Sequence, residues 1–561
     1  MDTNTPLDPN KTLNYYIAES LKRHASLPAL INLHGHATPY TYATAAIQIE
    51  RFHVFFRNMG LEKGDRVAFC ARNSAQWALA FLATVTYGGV AVPILNEFKP
   101  DTIHNLIEHS GSRILFSDDS VFPHLRSDEV KGLEAVVDMT DGSYELAYSR
   151  NKSIAKARES VDADMMRLYP DGFKVDDINY PADDLDELVL INYTSGSTGF
   201  SKGVMLTRRN LVSNLVFAID HMPFLEPGNG ILSMLPMAHM YGLLVELIFP
   251  FVIGAYIRFL GRTPSPAILL EAFRTVKPKL IITVPLVIEK IIFSRVMPEL
   301  KKPVMRIALA IPGVRDIIYR KLRDKLLSVF GGDLFELIIG GSALNPDVER
   351  LLTRIRFPFT VGYGMTECAP LIAYAQWDER KKASCGRVVD RMEARIDSPD
   401  PINIPGELWV KGDNVMQGYY NNPEATESVL KLDGWMNTGD ICQIDKSGLL
   451  YIRGRNKSMI LGPSGQNIYP EEIEAVLNPL PLIQESVVVD RDGKLIALIH
   501  PDLDLVRRQH ISDEQLQQTM QRNITEANKA LPAYSRISGF EIMKEPFEKT
   551  PKHSIKRYLY K

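Results

Sequence analysis

The sequence predicts an α/β protein: a large N-terminal domain of helix-flanked β-sheets, followed by a small α+β domain. Three observations carry this expectation. Short apolar runs alternate with helix-patterned text from Thr41 onward, among them Arg66-Val-Ala-Phe-Cys70, Val90-Ala-Val-Pro-Ile94, Leu188-Val-Leu-Ile-Asn192 and Leu280-Ile-Ile-Thr-Val284. Strands alternating with helices build a largely parallel sheet with helices on its faces. The 561 residues exceed what one hydrophobic core supports, so several structural units are expected. Finally, the text changes after Leu449-Leu-Tyr-Ile-Arg-Gly-Arg-Asn-Lys457, where a strand ends in a charged turn. A boundary there divides the chain into 1–456 and 457–561, and the second part is long enough to fold independently.

Composition narrows the function classes. Hydrophobic residues at 45% and charged residues at 23% are ordinary for a globular chain. A net charge of −3 offers no steering toward nucleic acid, so none is expected as a partner. Cys70, Cys368, Cys385 and Cys442 are widely spaced with no CxxC pair. A disulfide framework or a zinc site is therefore not expected, and a reducing cytoplasm fits best. The first residues carry no charged-then-apolar leader, so no secretory signal is expected. The longest apolar stretches, 247–257 and 280–288, fall short of the ~20 residues that span a bilayer and are expected to be buried strands. Polar text over 138–186 reads as a loop-rich connection.

The segment 289–325 stands apart. It holds ten Lys/Arg against four acids, a local net of +6, with Ile307, Leu309, Ile311, Ile317, Ile318 and Leu322 interleaved. Two readings fit: a solvated helical face over a core, or an amphipathic surface that touches anionic membrane and collects lipid substrate.

Residues 193–203 read Tyr-Thr-Ser-Gly-Ser-Thr-Gly-Phe-Ser-Lys-Gly, directly after the strand predicted at 188–192. Gly196, Gly199 and Gly203 let backbone approach an anion closely, and successive N–H groups form an anion-binding nest. Thr194, Ser195, Ser197 and Thr198 add hydroxyl donors, and Lys202 adds a mobile positive charge. Such a loop suits a polyphosphate whose charge grows as pyrophosphate leaves. It is not a Walker loop, since Ser201 and Gly203 stand where that motif needs Gly and Ser or Thr.

This loop closely resembles the signature of the adenylate-forming superfamily, which includes acyl-CoA synthetases, peptide-synthetase adenylation domains and beetle luciferases. Further matches follow in the family's order: Gly88-Gly-Val-Ala-Val-Pro93, Leu235-Pro-Met-Ala-His-Met-Tyr-Gly242, Gly362-Tyr-Gly-Met-Thr-Glu367, Gly406-Glu-Leu-Trp-Val410, Gly418-Tyr-Tyr-Asn-Asn-Pro-Glu-Ala-Thr426, Gly434-Trp-Met-Asn-Thr-Gly-Asp440 and Tyr451-Ile-Arg-Gly-Arg-Asn-Lys457. The resemblance covers nearly the whole chain. It implies that ATP, Mg²⁺ and coenzyme A are used to activate an organic acid.

The resemblance also implies residue roles. Tyr363 would pack on adenine, with Gly341, Ser342, Ala343, Gly364 and Met365 lining the same pocket. Thr366 would meet the α-phosphate. Glu367 would hold Mg²⁺ with Thr194, as a hard carboxylate suits that ion. Asp440 would accept both ribose hydroxyls, and Arg455 would lie near ribose and α-phosphate, a task for a guanidinium fork. His239 would sit at the substrate carboxylate without acting as a base, and the Val284-Pro285 segment would border the acyl pocket. Lys457 would be the hinge about which the small domain rotates, and Gly465 would lie beside the pantetheine channel. Cys368 reads as a buried small residue, and no protein nucleophile is assigned.

One departure stands out. Similar proteins end in Lys-Thr-x-x-Gly-Lys-Ile-x-Arg, whereas this tail reads Lys549-Thr-Pro-Lys-His-Ser-Ile-Lys-Arg557. Ser554 then stands where the adenylation lysine belongs, and Lys552 or Lys556 is expected to substitute. The basic segment before Gly340-Gly-Ser-Ala-Leu344 and this tail look most like long-chain fatty acyl-CoA synthetases. Two alternatives are an acyl-AMP ligase that loads a carrier protein, and an impaired protein that binds acyl chains and nucleotide. The expected location is cytoplasmic, with peripheral contact at the inner face of a membrane through 289–325.

Overall fold

A computed structural model of the chain describes residues 10–35, 38–194, 201–262, 265–455, 460–461, 467–491, 493–531, 535–549 and 555–560. Its centre is an eight-stranded mixed sheet. Five neighbouring strands are parallel: Leu188–Thr194, Val90–Pro93, Arg66–Cys70, Ile114–Ser117 and Ala135–Asp138. Lys202–Thr207 and then Gly418–Tyr419 extend one edge in antiparallel pairing, and Leu146–Ser149 the other. The helix Ala75–Tyr87 lies buried almost all round, as its near-continuous apolar text requires. Ser74 caps its first turn through Trp77 N–H, and Gly88 at φ +100° ends it in the left-handed conformation that a Cβ would resist.

Two smaller sheets flank this one. Gly230–Ser233, Tyr256–Phe259 and Pro28–Asn32 pair in parallel. So do Leu280–Thr283, Glu336–Ile339 and Phe359–Val361, which carry the second main core, around Phe273, Phe330 and Leu352. Beyond them Met392–Asp397, Gly406–Gly412, Met436–Ile444 and Leu450–Arg455 form an all-antiparallel sheet. The expectation of a largely parallel sheet therefore holds for the first part of the chain only. Between 392 and 455 the pairings of this sheet are antiparallel, Met392–Asp397 with Gly406–Gly412 and Met436–Ile444 with Leu450–Arg455 as hairpin neighbours, and a parallel pair returns in the C-terminal unit, where the helix Asp513–Ala530 lies between Lys494–Pro501 and Gly539–Ile542.

The C-terminal unit packs Pro470–Leu477 and Asp513–Ala530 on a three-stranded sheet of Ile483–Arg491, Lys494–Pro501 and Gly539–Ile542, with its own core. Ser512 and Gln515 form a capping box that starts the long helix. The large N-terminal domain and small C-terminal domain are as expected.

Three local expectations are corrected. The run 247–257 is mostly helical, passing from a π-turn at Leu243–Ile248 into a helix at Phe249–Val252 before the strand Tyr256–Phe259 begins. In 280–288 only Leu280–Thr283 is strand, and Pro285 opens the helix Pro285–Ile291. Apolar runs of this length do not distinguish a strand from a buried helix; Pro285 opens its helix from an extended residue, whereas Pro250 sits in a helical run already begun at Met240. The stretch 138–186 is less irregular than its polarity suggested, holding the edge strand and the helices Lys152–Glu159 and Val161–Leu168.

Candidate active site

The glycine-and-hydroxyl loop joins two antiparallel strands of the central sheet, with Thr194 paired to Lys202. The loop positions Ser195, Gly196, Ser197, Thr198 and Gly199 lie outside the described residues. Its flank shows why glycine follows the lysine: a Cβ on Gly203 would stand 2.9 Å from Ile191 and 3.1 Å from the Tyr193 ring. Thr194 is half-buried, its hydroxyl directed at the Lys202 carbonyl at 3.5 Å. The Lys202 ammonium sits 4.8 Å above the ring of Tyr419, held by the electrostatic attraction of a cation for a π face.

Tyr419 links this lysine to a second element. Its hydroxyl donates to Glu367 Oε1 at 2.9 Å. Glu367 lies in the single turn Thr366–Cys368, and both Thr366 and Glu367 are only 9% exposed. The turn is tied from three sides: Met416 N–H donates to the Glu367 carbonyl at 2.8 Å, the Asn214 amide to the Cys368 carbonyl at 2.8 Å, and Met365 N–H to the Pro370 carbonyl at 2.8 Å. Gly364 is obligatory here, since a Cβ would fall 2.0 Å from the Pro370 oxygen. Cys368 is fully buried, and burial pushes its thiol far above the ordinary range, so it is an inert core side chain.

Asp440 lies within the strand Met436–Ile444, opposite Arg455 on Leu450–Arg455. It is 3% exposed. Its Oδ2 accepts from the Tyr363 hydroxyl at 2.5 Å, and its Oδ1 meets Arg455 Nε at 2.9 Å. Burial raises its pKa, against the opposing pull of Arg455 and the Tyr363 hydroxyl. Tyr363 follows the strand Phe359–Val361, and Gly341, Ser342 and Ala343 follow Glu336–Ile339, its parallel neighbour. All three of the latter are exposed, and Gly341 adopts φ +91°. Strand ends thus deliver the proposed adenine residues to one rim, as expected for ligand sites at the carboxyl ends of parallel strands.

His239 is half-buried in the loop between Gly230–Ser233 and the helix Met240–Gly242, and its N–H donates to the Pro236 carbonyl at 2.9 Å. Met234 of this loop packs with Thr283, Val287 and Ile288 around an apolar gap too small to admit a water molecule. Lys556 is half-buried on the small domain and pairs with Glu548 at 3.2 Å. Lys457, Gly465, Lys552 and Ser554 lie outside the described residues.

The structure brings together Lys202 and Glu367 in one set, and Tyr363, Asp440 and Arg455 in another. Sequence reasoning missed Tyr419, which joins the first set. It stood inside a quoted motif, but nothing in its spacing tied it to residues 202 and 367. Arg557 was noted only as an alignment mark, yet its guanidinium is engaged by the buried Glu474 carboxylate at both oxygens.

Comparison with known proteins gives the following. The family model described as "AMP-binding enzyme" matches residues 17–420, and that described as "AMP-binding enzyme C-terminal domain" matches residues 457–560. A protein named long-chain-fatty-acid–CoA ligase from Escherichia coli O6:H1 is 28% identical over 519 residues, covering 87% of this chain and 85% of that one. The structure of ATP-bound MatB from Rhodopseudomonas palustris superposes with a TM-score of 0.75 at 22% identity, covering 98% of each chain. That of the anthranilate CoA ligase AuaEII with anthranoyl-AMP gives 0.76 at 18% identity, covering 100% of this chain and 98% of that one.

Proposed function

The chain belongs to the AMP-binding enzyme family, and from that premise we propose that it is an ATP-dependent long-chain fatty acid–CoA ligase. The observation that carries the reading is the convergence of two prepared groups. Lys202, Tyr419 and Glu367 form a charged relay beside the phosphate loop, and Tyr363, Asp440 and Arg455 form a second where a nucleoside would lie.

In the first half-reaction the fatty carboxylate attacks the α-phosphorus of ATP. A carboxylate oxygen–phosphorus bond forms, the α–β phosphoanhydride bond breaks, and pyrophosphate leaves. Lys202, the loop amides of 195–199 and Thr366 offset the charge, so catalysis is positioning and electrostatics. In the second half-reaction the thiol of coenzyme A attacks the acyl carbon, and AMP departs. Tyr363, Gly364, Met365, Gly341, Ser342 and Ala343 line the adenine pocket. A carboxylate accepts about four hydrogen bonds. Asp440 has two donors in place, which leaves capacity for the ribose hydroxyls, with Arg455 alongside. His239 faces the substrate carboxylate, and the Val284-Pro285 segment borders the acyl pocket.

Glu367 and the Thr194 hydroxyl are hard oxygen donors and fit Mg²⁺. Among the described residues no three His, Cys, Asp or Glu gather elsewhere to hold a metal. The ion would take its other oxygens from phosphate and water, and when bound it supplies charge neutralisation. The small domain, from 457 onward, rotates about Lys457 to exchange half-reactions, bringing Gly465 to the pantetheine channel. Lys552 or Lys556 takes the role vacated at Ser554, and Lys556 pairs with Glu548 in this structure. Separate replacement by Ala tests this: loss of fatty-acid-dependent ATP–pyrophosphate exchange in one of the two variants identifies the substitute, and loss in neither sinks the idea.

The test of function is incubation with ATP and a long-chain acid, with coenzyme A or a carrier protein, followed by mass detection of thioester. Acyl-CoA supports the ligase. Product only on the carrier favours an acyl-AMP ligase, and binding without product an impaired enzyme.

Contact with an anionic membrane is favoured by a specific observation. Val304 and Ile307 on Pro303–Ala310, Ile311 at the break between the helices, and Val314 and Ile317 on Pro312–Val329 are 39–79% exposed. Arg306, Arg315, Arg320 and Lys321 are exposed around them. No helix among the described residues is long and apolar enough to cross a membrane, so the proposed mode is peripheral, from the cytoplasmic side. Co-sedimentation with anionic vesicles is expected, and its persistence after reversing several of those charges would remove the proposal.

A further inference from the structure

The loop 234–239 has no strand or helix of its own, yet side chains from three distant elements hold its backbone. Asn73, just after the strand Arg66–Cys70, donates from Nδ2 to the Leu235 carbonyl at 2.6 Å, and its Oδ1 accepts from Met237 N–H at 2.9 Å. Asn192, fully buried in the strand Leu188–Thr194, donates to the Ala238 carbonyl at 2.9 Å. Glu246, 1% exposed, accepts from both Met234 N–H and Leu235 N–H through Oε2 at 2.9 Å each. It lies in the π-turn Leu243–Ile248, a local irregularity that recurs at functional sites. The loop is also pressed against the following helix: a Cβ on Gly242 would fall 2.7 Å from the Pro236 oxygen. Five backbone groups of four residues, Met234, Leu235, Met237 and Ala238, are thus fixed by three side chains.

The placement of these groups gives the clamp a use. Asn192 precedes Thr194 by two residues on the strand that enters the phosphate loop, and the loop it grips ends at His239. A carboxylate must meet phosphorus within a few tenths of an ångström of its reactive distance, and an error of about 1 Å costs on the order of 10²-fold in rate. We propose that Asn73, Asn192 and Glu246 are positioning residues that lock the 234–239 loop to the phosphate-loop strand, and so set His239 and the acyl carboxylate in register with the α-phosphate. This rests on the ligase reading above. None of the three touches the reacting atoms.

The test uses the full chain and acid-dependent ATP–pyrophosphate exchange, with MgATP affinity by calorimetry and the thermal midpoint measured alongside. Asn73→Ala is expected to lower kcat by at least ~10-fold while leaving MgATP affinity and the midpoint unchanged. Glu246→Leu is expected to lose exchange, and Glu246→Gln, which keeps a carbonyl acceptor for both N–H groups, to restore most of it. Unchanged kcat in Asn73→Ala overturns the proposal. So does a fall in kcat that is matched by MgATP affinity and midpoint, which marks a merely structural role. Should Glu246→Leu fail to fold, the half-buried Asn73 still decides. Wild-type protein without exchange overturns the ligase reading and the clamp together. Exchange retained by wild type and variants alike overturns the clamp alone.

Discussion

The nucleotide corner and the helices of 303–329 dispose of their side chains in opposite ways. At the corner, Asp440, Glu367 and Tyr363 are at least nine-tenths buried, and each has a partner: Asp440 holds two donors, Glu367 one, and Tyr363 gives its hydroxyl. On the helices, large apolar groups stand in water, Val304 at 79% and Ile307 at 68% exposure, between arginines and lysines. Buried polar groups need partners or they cost stability, so the corner is stiff and its geometry is fixed before a ligand arrives. Exposed apolar surface carries no such constraint, and its cost is relieved only when something covers it. Under the proposed function, rigid chemistry and adaptable membrane contact fall to different parts of one chain.

Removing the shared acceptor is the strongest way to break this contrast. Asp440→Ala leaves Tyr363 and Arg455 without their common partner, and acid-dependent pyrophosphate exchange is expected to fall by about 10²–10³-fold. Retained exchange would mean that the corner is structural.

A buried carboxyl at the start of the strand Glu336–Ile339, the end away from the adenine rim, sharpens the contrast through pH. Glu336 is fully buried, accepting from the Tyr374 hydroxyl at 2.6 Å and Trp377 N–H at 2.7 Å, and burial pushes its pKa from 4.5 up to about 7. Between those values the folded protein keeps a proton that the unfolded chain has released. The stabilisation is therefore complete below pH 4.5 and is lost as pH rises through about 7, on the order of 3 kcal/mol in all. Denaturant titrations from pH 5 to 8 should show this slope, and Glu336→Gln should reduce it, the buried Glu474, also pushed up to about 7, supplying the rest.

Tyr419→Phe is expected to have a smaller effect. It keeps the ring under Lys202 and removes only the hydroxyl on Glu367, so a loss of about 10-fold in exchange, near 1.4 kcal/mol, is expected, with an increased Mg²⁺ requirement. The smallest change belongs to the exposed helices. Val304→Ser, Ile307→Ser and Ile311→Ser, made singly, should each shift unfolding free energy by no more than about 0.5 kcal/mol. Combined, they should abolish sedimentation with anionic vesicles. A large loss of stability would place these side chains in a core.

How much of this was legible beforehand follows from the range of each interaction. Alternating strands and helices and the order of motifs are local patterns, and contiguous or periodic text reports local patterns well. The apolar runs 247–257 and 280–288 were misread because hydrophobicity marks burial without marking its geometry. Tyr419 and Glu246 were not seen because their partners are remote or their spacing unremarked: Tyr419 meets Lys202 and Glu367 across three sheet elements, and Glu246 reaches back twelve residues through a π-turn.

The sequence by itself determined the α/β class, the two-domain order, the family and the residue types that chemistry requires, because each is written in contiguous or regularly spaced residues. Only the tertiary structure decided that Asp440 would be shared by Tyr363 and Arg455, that Tyr419 would join a lysine to a carboxylate, and that three side chains would converge on the loop 234–239. Hydrogen bonds between residues far apart in the chain depend on distances of a few ångströms, and packing of whole sheets and helices sets those distances.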